Sequence, residues 1–257
     1  MTQISIKEHT DEVANLDTTG ILTRDLNSRL RELISHGRKQ IRLRNVCGQR
    51  YIGTDLDNAV ELEIYGTPGN DLGAFMDGPR ITVYGNAQDG CGNTMNNGEI
   101  IIHGRAGDIT GLSARGGKIF VRESVGYRAG IHMKEYKEKK PVLIVGGTAQ
   151  DFLGEYMAGG ILIVLGLNLV DGEKHQANYI GTGMHGGVIY LRGNINEHQL
   201  GKEVGVAELD DHDIAQLTTY VNEFSRHFGY DAEEILRHRY IKLFPLYLRP
   251  YGRLYAY

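Results

Sequence analysis

Residues 80–104 read RITVYGNAQDGCGNTMNNGEIIIHG, a segment that begins and ends with a short apolar strand closed by glycine. The two strands, RITVYG and EIIIHG, end 19 residues apart at Gly85 and Gly104. Similar strands recur along the middle of the chain and end at Gly66, Glu123, Gly146, Gly166 and Gly193. A nearly fixed period in this range is typical of a solenoid or a repeat array.

A second ladder of glycines runs in step with the first. Here a glycine is followed three residues later by methionine or alanine, at Gly73, Gly92, Gly111, Gly130, Gly154 and Gly181. Glycine has no Cβ and therefore reaches the positive φ angles that sharp corners need. We predict that the glycines of both ladders form the structural corners of the repeat, and that the methionines pack inside it.

The strands alternate so that their second and fourth residues are aliphatic, as in Ile81 and Val83. Alternation of this kind puts one face of a strand inward. A repeat of about 19 residues is too short for a βαβ unit, which needs about 30 or more. The sequence therefore predicts an all-β fold, a single-stranded right-handed parallel β-helix of about seven coils with flanking N- and C-terminal helices.

The outward positions of the strands become apolar towards the C-terminus. The strands PVLIVG and ILIVLG are apolar at every position before the glycine, as expected of strands that are buried on both faces. Either the terminal helices of the chain or another protein, including a second copy, must cover such a face. The alternation assigns the outward positions, and with them a candidate interface, to Leu143, Val145, Ile163 and Leu165.

The periodicity divides the chain into three parts. Residues 1–39 are predicted to form a helical cap on the open end of the solenoid, residues 40–205 the β-helix, and residues 206–257 a helical tail. In the tail, a first helix begins at Asp211 or Asp213 and a second follows Asp231. The first helix carries an apolar stripe of Ile214, Leu217, Val221, Phe224 and Phe228.

Two insertions interrupt the period, at 134–140 and 168–179, and insertions in solenoids often mark a contact face. The last stretch, IKLFPLYLRPYGRLYAY, is rich in Tyr, Leu and Arg, which suits an anchor on a protein surface.

The composition excludes several functional classes. With 41% hydrophobic residues, 23% charged residues and a net charge of −4, the chain is not basic enough to predict nucleic-acid binding. No apolar run is long enough to cross a membrane, and the N-terminus lacks the apolar region of a signal peptide, so we expect a cytoplasmic protein. The only cysteines, Cys47 and Cys91, form neither a metal-binding pair nor a disulfide framework.

The sequence contains few candidates for chemistry. Residues 181–186 match G-x-G-x-x-G, but they precede a strand rather than a helix, so we reject nucleotide binding. Asp89, Asp108 and Asp151 precede second-ladder glycines by three residues and could bind calcium or act as acid and base. A turn residue repeated once per coil is more often structural.

Histidines are scattered, and the three near the repeats, His103, His132 and His185, lack a metal-ligand spacing. We assign no catalytic, cofactor-binding or metal-binding residue.

The segments NVCGQRYIGTDL, GNDLGAFMDG, NAQDGCGNTMNNG, GLSARGGKIFVR, GGTAQDFLGEYMAGG and GTGMHGGVIYLRG occur in this order. They closely resemble the C-terminal β-helical domain of the glutamate synthase large subunit, the GXGXG repeat domain, over about residues 15–205. The fold resembles the β-helical scaffold protein of formylmethanofuran dehydrogenase more distantly. The glutamate synthase domain is non-catalytic and braces an amidotransferase domain with an N-terminal cysteine nucleophile against a barrel that carries FMN and an iron–sulfur cluster.

The resemblance implies a free-standing structural subunit. The chain begins Met-Thr-Gln-Ile, and its two cysteines cannot supply the four thiolates of a cluster. FMN and iron–sulfur clusters are therefore expected on a partner subunit, and the expected partners are a glutamine amidotransferase subunit and a synthase subunit. Two alternatives remain at this point, a scaffold of another redox complex of the formylmethanofuran dehydrogenase type and a self-contained carbohydrate-active enzyme that uses Asp89, Asp108 and Asp151.

Overall fold

The computed structural model describes residues 13–170 and 172–247. The strands are β1 Ala14–Asp17, β2 Gln40–Cys47, β3 Glu61–Thr67, β4 Asp77–Tyr84, β5 Asn97–Ile102, β6 Lys118–Val121, β7 Val142–Val145, β8 Ala158–Val164, β9 Gly186–Arg192, β10 Val204–Ala207 and β11 Tyr240–Pro245. The helices are α1 Thr23–Ser35, α2 Asp211–Phe228, α3 Ala232–Leu236 and a 3-10 turn at Glu197–Gln199.

Strands β1 to β9 pair in chain order, each parallel to the next, and form a β-solenoid of about six turns. This confirms the predicted parallel β-helix. The register places Ile81 beside Ile100 and Ile100 beside Ile119, so the inward positions form continuous rows. The cap and the tail are not only helical, because β1 extends the first coil and β11 pairs antiparallel with both β9 and β10 at the far edge.

The methionines pack inside the solenoid, as predicted, and the second-ladder glycines stand at left-handed turns. Every described methionine is buried in the core: Met76, Met95, Met133, Met157 and Met184. All six second-ladder glycines adopt positive φ, between 64° and 76°. The first ladder needs glycine for mixed reasons, since Gly85 does not have a positive φ but a Cβ there would overlap the carbonyl oxygen of Gly66 in the preceding coil.

Helix α1 packs on the first coil. Leu26 and Leu30 are buried in the same core cluster as Ile41. The side-chain amide of Asn27 donates to the carbonyl oxygen of Arg50 at 2.9 Å and fixes the helix to the coil below it. Among the described residues, the predicted N-terminal cap therefore contains a helix laid on the apolar end of the solenoid as well as strand β1.

The outward positions of β7 differ from the prediction. Leu143 pairs with Ile119 and Val145 pairs with Val121, so both lie inside the solenoid. The outward residues of β7 are Val142 and Ile144. The sequence pattern places Leu143 and Val145 on the wrong face because a strand that is apolar throughout carries no signal that separates its two faces.

The chain itself covers the apolar outer face. Ile163 and Leu165 face outward as predicted, but both are completely buried. The cover consists of α2, α3 and β11, which contribute Leu217, Val221, Phe224, Ile235 and Tyr240 to the same cluster. None of the four residues proposed as an interface is exposed. The apolar stripe predicted for α2 is also wrong at one position, because Ile214 is 51% exposed on the solvent side of the helix.

A buried polar network fixes the start of α2 to the sheet. The Tyr190 hydroxyl donates to the Asp213 carboxylate at 2.6 Å, and Lys242 Nζ donates to the same carboxylate at 2.7 Å. Burial alone would raise the pKa of Asp213, but the hydrogen bonds from Lys242 and Tyr190 outweigh burial and hold the pKa below its usual value of 3.8. Asp210 and Asp213 also form the capping box at the N-terminus of α2.

Candidate functional site

The aspartate ladder joins coils to one another. Asp89 Oδ1 accepts from the backbone N–H of Asp108, and Asp108 Oδ1 accepts from the backbone N–H of Tyr127, both at 2.9 Å. Asp151 Oδ1 accepts from the N–H of Asn178 at 2.8 Å. Each carboxylate thus bonds the equivalent residue of the next coil.

A parallel ladder beside it repeats this arrangement, with Asn86 Oδ1 accepting from Arg105 and Ser124 Oγ accepting from Thr148. These contacts contradict the hypothesis that the chain is a carbohydrate-active enzyme. Its three carboxylates would have to line a cleft as acid and base, whereas each is engaged with backbone at a turn. The ladder is a structural device of the solenoid.

The remaining candidates for chemistry lie apart. Gly181 begins a turn that leads into strand β9 and not into a helix, which agrees with the rejected nucleotide motif. Cys91 is buried, and burial raises the pKa of its thiol to about 12, so it is inert, while Cys47 is exposed. Within residues 13–170 and 172–247, no three His, Cys, Asp or Glu side chains are grouped so that they could hold a metal ion.

The second face of the solenoid is built from seven copies of one left-handed turn. In each copy the central second-ladder glycine, or its equivalent Gly53 in the first coil, is flanked two residues before and two residues after by positions that also have positive φ. Around Gly130, these positions are Arg128 and His132. The Gly130 N–H donates to Thr110 of the preceding coil at 2.8 Å, while the flanking N–H groups donate to the following coil. The coils are therefore hydrogen-bonded on this face as well as in the sheet.

Bulky side chains occupy many of these left-handed positions. A residue with a Cβ loses about 1–2 kcal/mol in this conformation. Glycine fits both flanking rows, as Gly90 and Gly183 show, yet most copies carry larger residues. Their side chains point outward in two columns along the solenoid axis, one row before and one row after the central glycines.

The largest group of such residues forms what we name the aromatic face: Arg128, His132, Phe152, Tyr156 and Tyr179. In one column, Phe152 stacks on Tyr179 with ring centroids 4.8 Å apart, and the Arg128 guanidinium lies over the Phe152 ring at 4.9 Å. In the other column, His132 stacks on Tyr156 at 5.4 Å. Tyr156 and Tyr179 remain 46% and 55% exposed.

A buried carboxylate supports the aromatic face. Glu155 lies between the two columns, is only 7% exposed, and pairs with Arg128 at 3.3 Å. Sequence reasoning missed the whole face, and only His132 was named in it. The residues of the face lie two positions before or two positions after a second-ladder glycine, and this spacing can be seen in the sequence. It identifies a surface only when the side chains at those positions are known to point outward.

A smaller exposed region lies on the outer sheet face that α2 does not cover. The rings of Tyr65, Tyr84 and His103 stack in sequence at 4.7 and 4.9 Å, and His103 meets the edge of Phe228 at the end of α2. Burial lowers the pKa of His103, and the nearby Arg122 and His227 lower it further. This stack extends the covered cluster towards the N-terminal coils.

The two insertions lie at corners of the solenoid. The first, 134–140, folds back over its neighbours, with Lys139 paired to Asp77 at 3.0 Å. The second, 168–179, is anchored by His175, whose buried Nε2 lies 2.9 Å from the carbonyl oxygen of Arg192, while Val170 near its tip is 72% exposed.

Comparison with known proteins agrees with this architecture. The family model of the GXGXG motif matches residues 38–248, which include strands β2 to β11 and the helices between them. The chain belongs to the GXGXG motif family. It is also 47% identical over 249 residues to an uncharacterized protein of Methanocaldococcus jannaschii, with 94% of this chain and 95% of the relative covered.

The GXGXG domain also occurs in the large subunit of glutamate synthase, where it is a non-catalytic part. The GXGXG match covers most of this chain, and the relative aligns with this chain over 95% of its own length. Among the helices that the structure describes, none has the length and apolar character needed to span a membrane.

Proposed function

We propose that this chain is a non-catalytic structural subunit of a glutamate synthase-type complex. It holds a glutamine amidotransferase subunit and a synthase subunit with FMN and iron–sulfur clusters in fixed positions for glutamate synthesis and ammonia assimilation. The observation that carries the proposal is the family match over residues 38–248. The GXGXG domain in the glutamate synthase large subunit occurs together with an amidotransferase domain and a synthase domain.

The chemistry of the chain supports a partner-borne cofactor. A four-thiolate cluster needs more cysteines than Cys47 and Cys91, and Cys91 is enclosed in the solenoid core. The polar side chains that repeat along the coils are engaged in coil-to-coil hydrogen bonds. The surfaces that remain free are aromatic and charged, which suits protein contacts more than catalysis.

The test is affinity purification of the tagged chain from its own cells, with mass spectrometry and a visible spectrum of the purified material. The expected result is a co-purifying glutaminase and a yellow-brown flavin and iron–sulfur protein. A molybdenum or tungsten protein in their place would contradict the proposal and favour the formylmethanofuran dehydrogenase type. A colourless chain that purifies alone would also contradict it, and the oligomeric state would then be measured.

A further inference from the structure

We propose that the aromatic face is the surface on which this chain docks a partner subunit, and that the partner presents an acidic protein surface there. This inference rests on the proposed function, because it takes the partner to be a subunit of the same complex. It also assigns the contact to a face of the solenoid that lies away from the helix-covered sheet.

The first argument is conformational strain without burial. Tyr156 has φ of 52° and Tyr179 has φ of 58°, values that disfavour any residue with a Cβ. A strained position is usually retained for burial or for function. Both side chains are about half exposed, so they do not offset the strain by filling the core, and glycine occupies the equivalent position in other coils.

The second argument is the chemical character of the face. Tyrosine, arginine and buried aromatic anchors contribute most of the binding energy in protein interfaces. Phe152, Tyr156 and Tyr179 are already ordered by stacking on one another or on His132, so a partner loses little side-chain entropy on binding them. The stacked rings cover one another's faces and present mainly their edges, which suits a protein partner better than the bases of a nucleic acid.

The third argument is local charge. Residues 128–140 contain five Lys or Arg, of which Arg128, Lys139 and Lys140 pair with Glu155, Asp77 and Glu135. Lys134 and Lys137 form no ion pair within the part of the chain that the structure describes, and they follow His132 directly into the first insertion. A basic border of this kind favours a partner surface that carries carboxylates.

The test co-expresses the full chain with the glutaminase and synthase subunits from the same cells and measures the yield of each partner that purifies with it. The test variant is Tyr156→Gly/Tyr179→Gly, which removes both side chains and relieves the strain at both positions. The control is Ile109→Gly/Ser113→Gly, which relieves the same left-handed strain in the same two rows but removes no exposed aromatic ring. Circular dichroism confirms that each variant is folded.

We expect the yield of one co-purified partner to fall by about tenfold or more in the test variant, because two interface anchors are lost. The control variant should assemble like the wild type, and higher salt should weaken the wild-type contact. Full assembly of the test variant, or equal loss in the control, would overturn the inference and leave the proposed function standing. Failure of the wild type to assemble would overturn both, and assembly that nuclease abolishes would assign the face to a nucleic acid instead.

Discussion

Replacing Phe224 by alanine tests whether α2 is an integral cover of the solenoid. The ring is completely buried, meets Phe228 edge-on at 4.8 Å and stacks on Tyr230 at 5.7 Å. Its Cζ lies 2.6 Å from the place where a Cβ on Gly146 would stand, so it packs directly against the backbone after β7. Burial of the ring contributes about 1.5–3 kcal/mol and its ring contacts about 1–2 kcal/mol more.

The expected loss of unfolding free energy is therefore about 3–5 kcal/mol, which is also the usual range for phenylalanine to alanine in a core. The measurement is urea unfolding followed by circular dichroism, with the slope of the transition compared between variants. Ile214→Ala on the exposed side of the same helix is the matched control and should cost less than about 1 kcal/mol. Equal costs for the two variants would refute the reasoning, because α2 would then not cover the sheet.

Three further outcomes follow from the packing and the titratable groups. Gly126→Ala should cost about 1–3 kcal/mol in urea unfolding, because a Cβ would overlap the Asp108 carboxylate and the backbone beside it; a cost below about 0.5 kcal/mol would contradict the ladder geometry. Asp213→Asn should be less stable than the wild type at neutral pH. Because the folded pKa of Asp213 is below 3.8, the wild-type advantage should be lost as pH falls through that pKa, and an advantage that persisted unchanged in thermal melts down to pH 2 would contradict the assignment. A thiol reagent should modify Cys47 in the native chain and Cys91 only after unfolding, and rapid native modification of both would contradict the burial of Cys91.

The sequence was sufficient for the solenoid because the second glycine ladder has a physical cause that repeats in every coil. The second-ladder glycines adopt positive φ, and the methionines three residues later fill the space between strands, so sequence spacing and structure have the same period. The helices of the tail were also predictable, since Asp231 caps α3 and Gly229 ends α2 with φ of 75°.

The inside and outside of β7 could not be read in the same way. The sequence spacing aligns Gly146 with Glu123, but the structure places Gly146 one position earlier, next to Arg122, and the interval across the first insertion is correspondingly longer. A Cβ on Gly146 would overlap the carbonyl oxygen of Arg122 in the preceding coil and would also meet the Phe224 ring of α2. The contact with Phe224, which lies about 80 residues further along the chain, cannot be recognised from the local spacing of the repeat.

The candidate site was harder to predict than the fold for a related reason. The repeat preserves what each coil needs from its neighbours, so periodic residues report on folding. Residues that bind something outside the solenoid need not repeat, and the proposed docking residues Tyr156 and Tyr179 stand in rows where Gly183 and Gly90 also occur.

The architecture also explains how such a chain can act as a brace. Each coil is bonded to the next through the sheet and through the left-handed turns, and carboxylates such as Asp89 and Asp151 add bonds between some of the coils, so the spacing of about 4.8 Å per coil is held on more than one face. Phe75 and Tyr156 occupy one row four coils apart, a separation of about 19 Å on this spacing. Under the proposed function, a partner bound near one end would be held at a set distance from a partner bound near the other. Because α2 covers the apolar sheet face within the chain, that rigidity does not depend on the partners being present.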